Sequence, residues 1–147
     1  MKITYSLELN ADINKVFSYI EEPSKQKLWL KDVVDMIPHP DKKDEKGEPF
    51  TMKMKQGNKI VDYAGRTIAV EKPKFLHVYV GDSKFSMEIK YYLKKMAENI
   101  TKIDYECEVS SNALIFKIIY AIFTPFTKSI MRKQFDALKK LVEKSKQ

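Results

Sequence analysis

The sequence predicts an α+β fold in which a curved antiparallel sheet of about seven strands wraps around a long C-terminal helix, with two short helices after the first strand. Two alternating runs and the helical pattern that follows them carry this reading. In the first run Phe85, Met87, Ile89, Tyr91 and Leu93 fall on one side, and Ser86, Glu88, Lys90, Tyr92 and Lys94 on the other. In the second, Ile103, Tyr105, Cys107 and Val109 alternate with Lys102, Asp104, Glu106 and Glu108. A period of two means strands with one apolar face, and the turn at Ala97-Glu98-Asn99 joins them as a hairpin. The helical spacing beyond them runs to Val142.

The remaining elements follow in chain order. Ile3, Tyr5, Leu7 and Leu9 alternate as a first strand ending at Asn10. Asp12 is placed to cap a short helix bearing Val16, Phe17 and Ile20, since its carboxylate can accept from free amides of the first turn. Pro23 breaks that helix, and a second short one is expected from about Ser24 to Trp29. A short strand over residues 33–37 leads into Pro38, Pro40 and a charged, solvated loop over residues 41–48. Phe50, Met52 and Met54 alternate in the next strand, and Gln56-Gly57-Asn58 reverses the chain. From Lys59 to about Glu71 the phase is ambiguous: Tyr63 and Thr67 share one face, Ile60, Ala64, Ile68 and Val70 the other, and Gly65 is a candidate bulge. Lys72-Pro73-Lys74 makes a corner before a nearly continuous apolar run over residues 75–80.

Composition bounds the function. The 147 residues show no linker, repeat or low-complexity tract, so one domain over residues 1–147 is expected. A chain of this size buries roughly 70% of the surface its unfolded form exposes and needs no staples. The lone cysteine, Cys107, supports neither a disulfide framework nor a four-ligand zinc site and reads as a core residue. The N-terminus alternates at once, without an apolar signal region, and no run reaches the ~18 apolar residues of a membrane span. A cytoplasmic protein, with possible peripheral membrane association, is therefore expected. The net charge of +7 rests almost wholly on lysine, because Arg66 and Arg132 are the only arginines. Base and phosphate recognition draw mainly on arginine, so nucleic acid is a minority reading. Attraction to anionic surfaces and simple solubility both fit the lysines.

The C-terminal segment changes character at Pro125. Before it, Leu114, Ile115, Phe116, Ile118, Ile119, Tyr120, Ile122, Phe123 and Phe126 place apolar groups on every side of a helix. After it, Ile130, Phe135, Leu138, Leu141 and Val142 keep one stripe, with Lys128, Arg132, Lys133, Lys139, Lys140 and Lys144 around the rest. Pro125 is expected to kink or divide the helix. Three accounts of the all-round apolar half stay open: burial within its own fold, a homodimer contact, or insertion at an anionic membrane surface as a gate for a lipid.

Groups suited to acid–base chemistry are few. His39, between Pro38 and Pro40, reads as a loop histidine. His77 alternates with Phe75 and Tyr79 and would contact a guest if that face points inward. No metal, phosphate-loop or nucleophile motif occurs, and two histidines alone do not make a metal site, so neither a metal nor another cofactor is expected. Asp62 and Arg66 are spaced to pair along one strand face. Tyr63, Tyr79, Tyr91 and Tyr105 lie on central strands, where each phenol needs a partner: another side chain, a water or a ligand oxygen. Trp29 either edges a cavity mouth or closes the core.

The helix through Val16-Phe17-Ser18-Tyr19-Ile20 into Glu22-Pro23-Ser24 and Trp29 resembles the opening of the START-like, Bet v 1-like superfamily. The stretch Ile68-Ala69-Val70-Glu71-Lys72-Pro73-Lys74-Phe75-Leu76 is similar to the strand, proline corner and strand of its polyketide cyclase/dehydrase and lipid-transport branch. Asn99-Ile100-Thr101-Lys102-Ile103 resembles that family's penultimate turn and last strand, although Ala97-Glu98-Asn99 lacks the glycine pair often found there. The resemblance implies a helix-grip fold and a cavity between sheet and C-terminal helix for a hydrophobic small molecule, lipid-like or aromatic. Trp29, Tyr63, His77, Tyr79, Phe85, Met87, Ile89, Tyr91, Tyr105, Tyr120 and Phe123 are the candidate lining. Binding for transport or sequestration is the leading expectation. A cyclase or dehydrase using His77 or a cavity tyrosine is one alternative, and a protein-binding module using the basic helix is another.

Overall fold

The computed structural model describes residues 2–81, 85–111, 129 and 131–144. Tyr120, Phe123, Pro125 and the apolar segment over residues 114–126 lie outside the described residues, as does the side chain of Phe85. The elements are β1 (Lys2–Leu9), α1 (Ile13–Glu21), α2 (Pro23–Gln26), β2 (Val33–Pro38), β3 (Glu48–Gln56), β4 (Lys59–Glu71), β5 (Phe75–Gly81), β6 (Phe85–Ala97) and β7 (Ile100–Ser111). Helix α3 covers residues 131–144. This is the expected order of one strand, two short helices, six strands and a C-terminal helix. The seven strands form one antiparallel sheet in the order β1-β7-β6-β5-β4-β3-β2. Since β1 and β2 are its two edges, the α1–α2 connection must travel from one side of the sheet to the other.

Local chemistry accounts for the joints. Asp12 caps α1, its Oδ2 accepting from the Asn14 amide at 3.0 Å. Ile13, Val16, Phe17 and Ile20 form the buried stripe of that helix. Pro23 opens α2 at its first turn, where the missing N–H costs nothing. Helix α2 ends at Gln26, so the second helix is shorter than its expected extent to Trp29. Between β6 and β7 the left-handed position falls to Asn99, with φ of 60°, so asparagine serves where related turns carry glycine. Thr101 is fully buried and donates its hydroxyl to the Ala11 carbonyl at 2.8 Å, tying β7 to the start of α1.

The inward faces of β6 and β7 are those the alternation predicts: Leu93 pairs with Ile103, Tyr91 with Tyr105, Ile89 with Cys107 and Met87 with Val109. Helix α3 adds Met131, Phe135, Leu138 and Val142, all buried, at the spacing of one helical stripe. Phe135 stacks on Tyr5 at 5.2 Å, meets Tyr105 edge-on at 5.1 Å and tilts against Trp29 at 5.7 Å. Full burial of each such side chain is worth about 1.5–3 kcal/mol. Along residues 131–144, then, the helix buries one apolar stripe against the sheet.

The registers of β4 and β5 give the two strand phases that the sequence left open. In β4 the bulge lies between Thr67 and Ala69, not at Gly65, and it turns Val70 to the side of Leu76. In β5 the inward residues are Leu76, Val78 and Val80, paired with Tyr91, Ile89 and Met87 of β6. The face carrying Phe75, His77 and Tyr79 is the outer one. Asp62 and Arg66 do not pair with each other: Asp62 meets Lys53 at 3.0 Å and Arg66 meets Asp44 at 2.9 Å. Residues four apart along an extended strand stand roughly 13 Å apart, beyond side-chain reach of such short pairs.

Candidate functional site

Among the described residues the inward face carries two apolar clusters. The larger joins β1, β5, β6 and β7 to α1 and α3; the smaller consists of Phe50, Met52 and Val80, with Val33, Met36, Met54, Tyr63 and Val78 against it. Beside the smaller cluster a cleft of about 590 Å³ opens between strands β2 to β5 and the α1–α2 junction. Met36, Phe50, Val70, Leu76 and Val78 provide its apolar surface, and Glu21, Pro23 and Gln26 its helical wall. Ile68 and Val70, both at the cleft, are 40% and 44% exposed. Lys43 and Lys72 stand at the rim, where Lys72 pairs with Glu21 at 3.0 Å. Such a volume suits a small molecule.

The cleft exists because two local devices hold its floor low. Gly65 has Phe50 directly across the β3–β4 ladder, and the Phe50 ring occupies the space that a Cβ at Gly65 would need. The bulge after Thr67 then presents Ile68 and Val70 at the mouth. On the opposite wall Gln26 is 9% exposed and donates Nε2 to the Ile20 carbonyl at 2.7 Å.

A second hollow of about 710 Å³ lies where Asn10, Asp12 and Lys15 meet Val142 and Glu143. Its polar groups are already engaged: the Asn10 amide donates to Glu143 at 2.8 Å and Lys15 to the Val142 carbonyl at 2.8 Å. The apolar-floored cleft is therefore the stronger candidate.

The expected lining residues disperse. Trp29 is 3% exposed, donates Nε1 to the Tyr19 carbonyl at 2.9 Å and abuts Phe135 within the core. Tyr91 and Tyr105 face inward but pack edge to face at 5.2 Å inside the main core. Burial, with Cys107 nearby, pushes the Tyr91 phenol well above its ordinary range. The Tyr105 phenol rises through burial first, then through Tyr91 and Cys107. Burial likewise raises the Cys107 thiol, as a core cysteine requires. Met87 and Ile89 are partly buried against the same core.

Among the described tyrosines only Tyr63 belongs to the smaller cluster, where its hydroxyl accepts from Gln56 Nε2. The β5 register sends His77 and Tyr79 to the outer face. There His77 Nε2 meets Glu88 Oε1 at 2.6 Å, and Tyr79 is 36% exposed. His39 is not free in its loop either, since its Nε2 lies 2.9 Å from the Thr51 hydroxyl. Among the described residues no group of three or more His, Cys, Asp or Glu side chains could hold a metal ion, and no helix is long and apolar enough to cross a membrane.

Sequence reasoning missed Gln26, Met36, Leu76 and Val78 as cleft residues. For Leu76 and Val78 the signal was ambiguous, because residues 75–80 are apolar on both faces. Nothing local marks Gln26, a glutamine in a four-residue helix.

A curved antiparallel sheet with two short helices after its first strand and a helix against its inner face is the helix-grip fold of START-like, Bet v 1-like proteins. No family model matches the sequence. No curated protein matches it either. Solved structures share the fold at low identity. A START superfamily protein from Mycobacterium smegmatis superposes with a TM-score of 0.72 at 10% identity, over 97% of each chain. Norcoclaurine synthase from Thalictrum flavum, solved with dopamine and hydroxybenzaldehyde, gives 0.68 at 17% identity, over 100% of this chain and 88% of that one. The di-domain aromatase/cyclase StfQ of the steffimycin biosynthetic pathway gives 0.71 at 10% identity, over 96% of this chain and 44% of that one.

Proposed function

We propose that the protein binds a hydrophobic small molecule, lipid-like or aromatic, in the cleft between strands β2 to β5 and the α1–α2 junction. The observation that carries this reading is an apolar floor of Met36, Phe50, Leu76 and Val78 beneath a cavity of about 590 Å³. An apolar surface left beside a packed core gains when a guest displaces its water. The shared fold supports the same reading, since norcoclaurine synthase holds two small aromatic molecules on it. The titratable cleft residues Glu21, Lys43, Glu48 and Lys72 stand at exposed or half-exposed positions, and Glu21 and Lys72 neutralise each other. An apolar floor with its charged groups at the water-exposed rim suits holding an apolar guest, which favours binding over the cyclase reading.

Titration with the apolar fluorophore 1-anilinonaphthalene-8-sulfonate tests the proposal. Wild type is expected to take up the dye, and Val70→Trp, which fills the mouth from an exposed strand position, to weaken uptake roughly tenfold while the melting temperature changes little. Absence of uptake by wild type, or equal uptake by the variant, would refute it. Native mass spectrometry of purified protein provides an independent check through any co-purifying apolar mass.

A further inference from the structure

We propose that two copies of this chain associate through β1, antiparallel about Tyr5, so that Lys2 of each copy meets Glu8 of the other. Strand β1 is one edge of the sheet: among the described residues it pairs with β7 on one side and with no strand on the other. Along an edge strand every second residue aims its N–H and C=O away from the sheet, a template for another strand. The opposite edge, β2, carries two features that hinder such pairing, a register shift between Val33 and Asp35 and a proline, Pro38, at its end. Strand β1 has neither. Its eight residues run in unbroken register against β7 and include no proline. It is also the edge away from the cleft, so the inference does not depend on guest binding.

The sequence of this edge complements itself. In an antiparallel pair centred on Tyr5, Lys2 stands opposite Glu8, Ile3 opposite Leu7, Thr4 opposite Ser6 and Tyr5 opposite Tyr5. Two-fold symmetry makes every unlike match twice, as a symmetric dimer requires. Lys2, Thr4, Ser6 and Glu8 share the exposed outer face. Opposed side chains on neighbouring strands stand about 4.5–5.5 Å apart at Cβ, within reach of an ion pair. Charges that only guard an edge serve best with one sign, because they then repel a second copy; here opposite signs lie at equal distances on either side of the centre and attract it. Lys2 is 57% exposed and 3.6 Å from Glu106, a water-screened contact that it can share with a second carboxylate. On the inner face Tyr5 and Leu7 are half-buried and still have apolar surface to cover. The charges also set the register. A slip of one residue opposes Lys2 to Leu7 or Leu9 and sets inner faces against outer ones, and a slip of two separates lysine from glutamate.

Sedimentation equilibrium of the full chain, without added residues at its N-terminus, tests this at low ionic strength. The mass is expected to rise with concentration from 17.2 kDa toward twice that value. A contact confined to one strand edge is small, so the dissociation constant is expected on the order of 100 µM. Lys2→Glu and Glu8→Lys each set like charges together at both ends of the pair, and each is expected to weaken self-association by roughly tenfold or more. An equal mixture of the two variants sets two glutamates against two lysines and is expected to associate about as well as wild type. Recovery in the mixture also shows that both variants are folded. Should either variant fail to fold, the wild-type protein alone decides: about 0.5 M salt is expected to weaken its association severalfold by screening the end pairs. A wild type that stays monomeric up to about 1 mM overturns the inference, since this is tenfold above the expected constant. So does a dimer that both folded variants retain, that salt leaves unchanged, or that the mixture does not restore. Each of these outcomes leaves the binding proposal intact, because the fluorophore reads the other edge of the sheet.

Discussion

Phe50 and Gly65 face each other across the β3–β4 ladder, so closely that a Cβ built on Gly65 would lie 2.3 Å from the Phe50 Cε1 and Cζ atoms. The absence of a side chain at Gly65 is what lets the ring lie down and form cleft floor. Gly65→Ala should force the ring to rise into the cleft. Overpacking of this kind costs about 1–3 kcal/mol, and the low end is expected because the cleft offers the ring somewhere to go. Fluorophore affinity should fall with it. A variant with wild-type melting temperature and wild-type affinity would show that the contact does not shape the cleft.

Phe135 is the anchor of α3. It is 2% exposed and touches the rings of Tyr5, Trp29 and Tyr105. Phe135→Ala should cost about 3–5 kcal/mol and lower the melting temperature by on the order of 10 °C. Calorimetry measures this directly. A change of only a degree or two would mean that the helix is not held to the sheet through this residue.

Alkaline pH should destabilise the protein through three acids at its centre. Tyr91, Tyr105 and Cys107 all have folded-state pKa values raised, chiefly by burial. The unfolded chain therefore releases these protons first, from about pH 8.5 for the thiol and about pH 10 for the phenols. Their contribution is complete below those values and is lost as pH climbs through and beyond them, by up to about 1.4 kcal/mol per pH unit for each group. Urea midpoints taken between pH 8 and pH 11 should fall, and Tyr91→Phe should flatten the slope. An unchanged slope in that variant would remove Tyr91 from the account.

His77 sits on the outer face with Glu88. His77→Asn should leave fluorophore affinity unchanged and alter stability by no more than about 1 kcal/mol, the scale of a half-exposed side-chain contact. Titration and a melting curve on one sample suffice. Affinity lost without a loss of stability would return His77 to the site.

The hairpin of β6 and β7, the Asp12 cap, the break at Pro23 and the apolar stripe of α3 were legible because each depends on local periodicity or local hydrogen bonding. The cleft was not. Its residues come from α2, β2, β3, β4 and β5, and which of them turn inward depends on a bulge after Thr67 and on the phase of a strand that is apolar on both faces. A shift of one residue exchanges the two faces of a strand, so Leu76 and Val78 took the places that alternation through His77 and Tyr79 had suggested.

The sequence by itself determined the order of elements and the inward faces of the hairpin, since charged residues on alternate positions leave only one face to bury. Tertiary structure alone decided that Tyr91, Tyr105 and Trp29 are core, because Phe135 arrives from the far end of the chain to fill the space between them. It also decided that the Gln26 side chain is buried beside an apolar cleft. Burial of that residue depends on how α2 docks against the sheet, and no local pattern in the sequence records such a long-range contact.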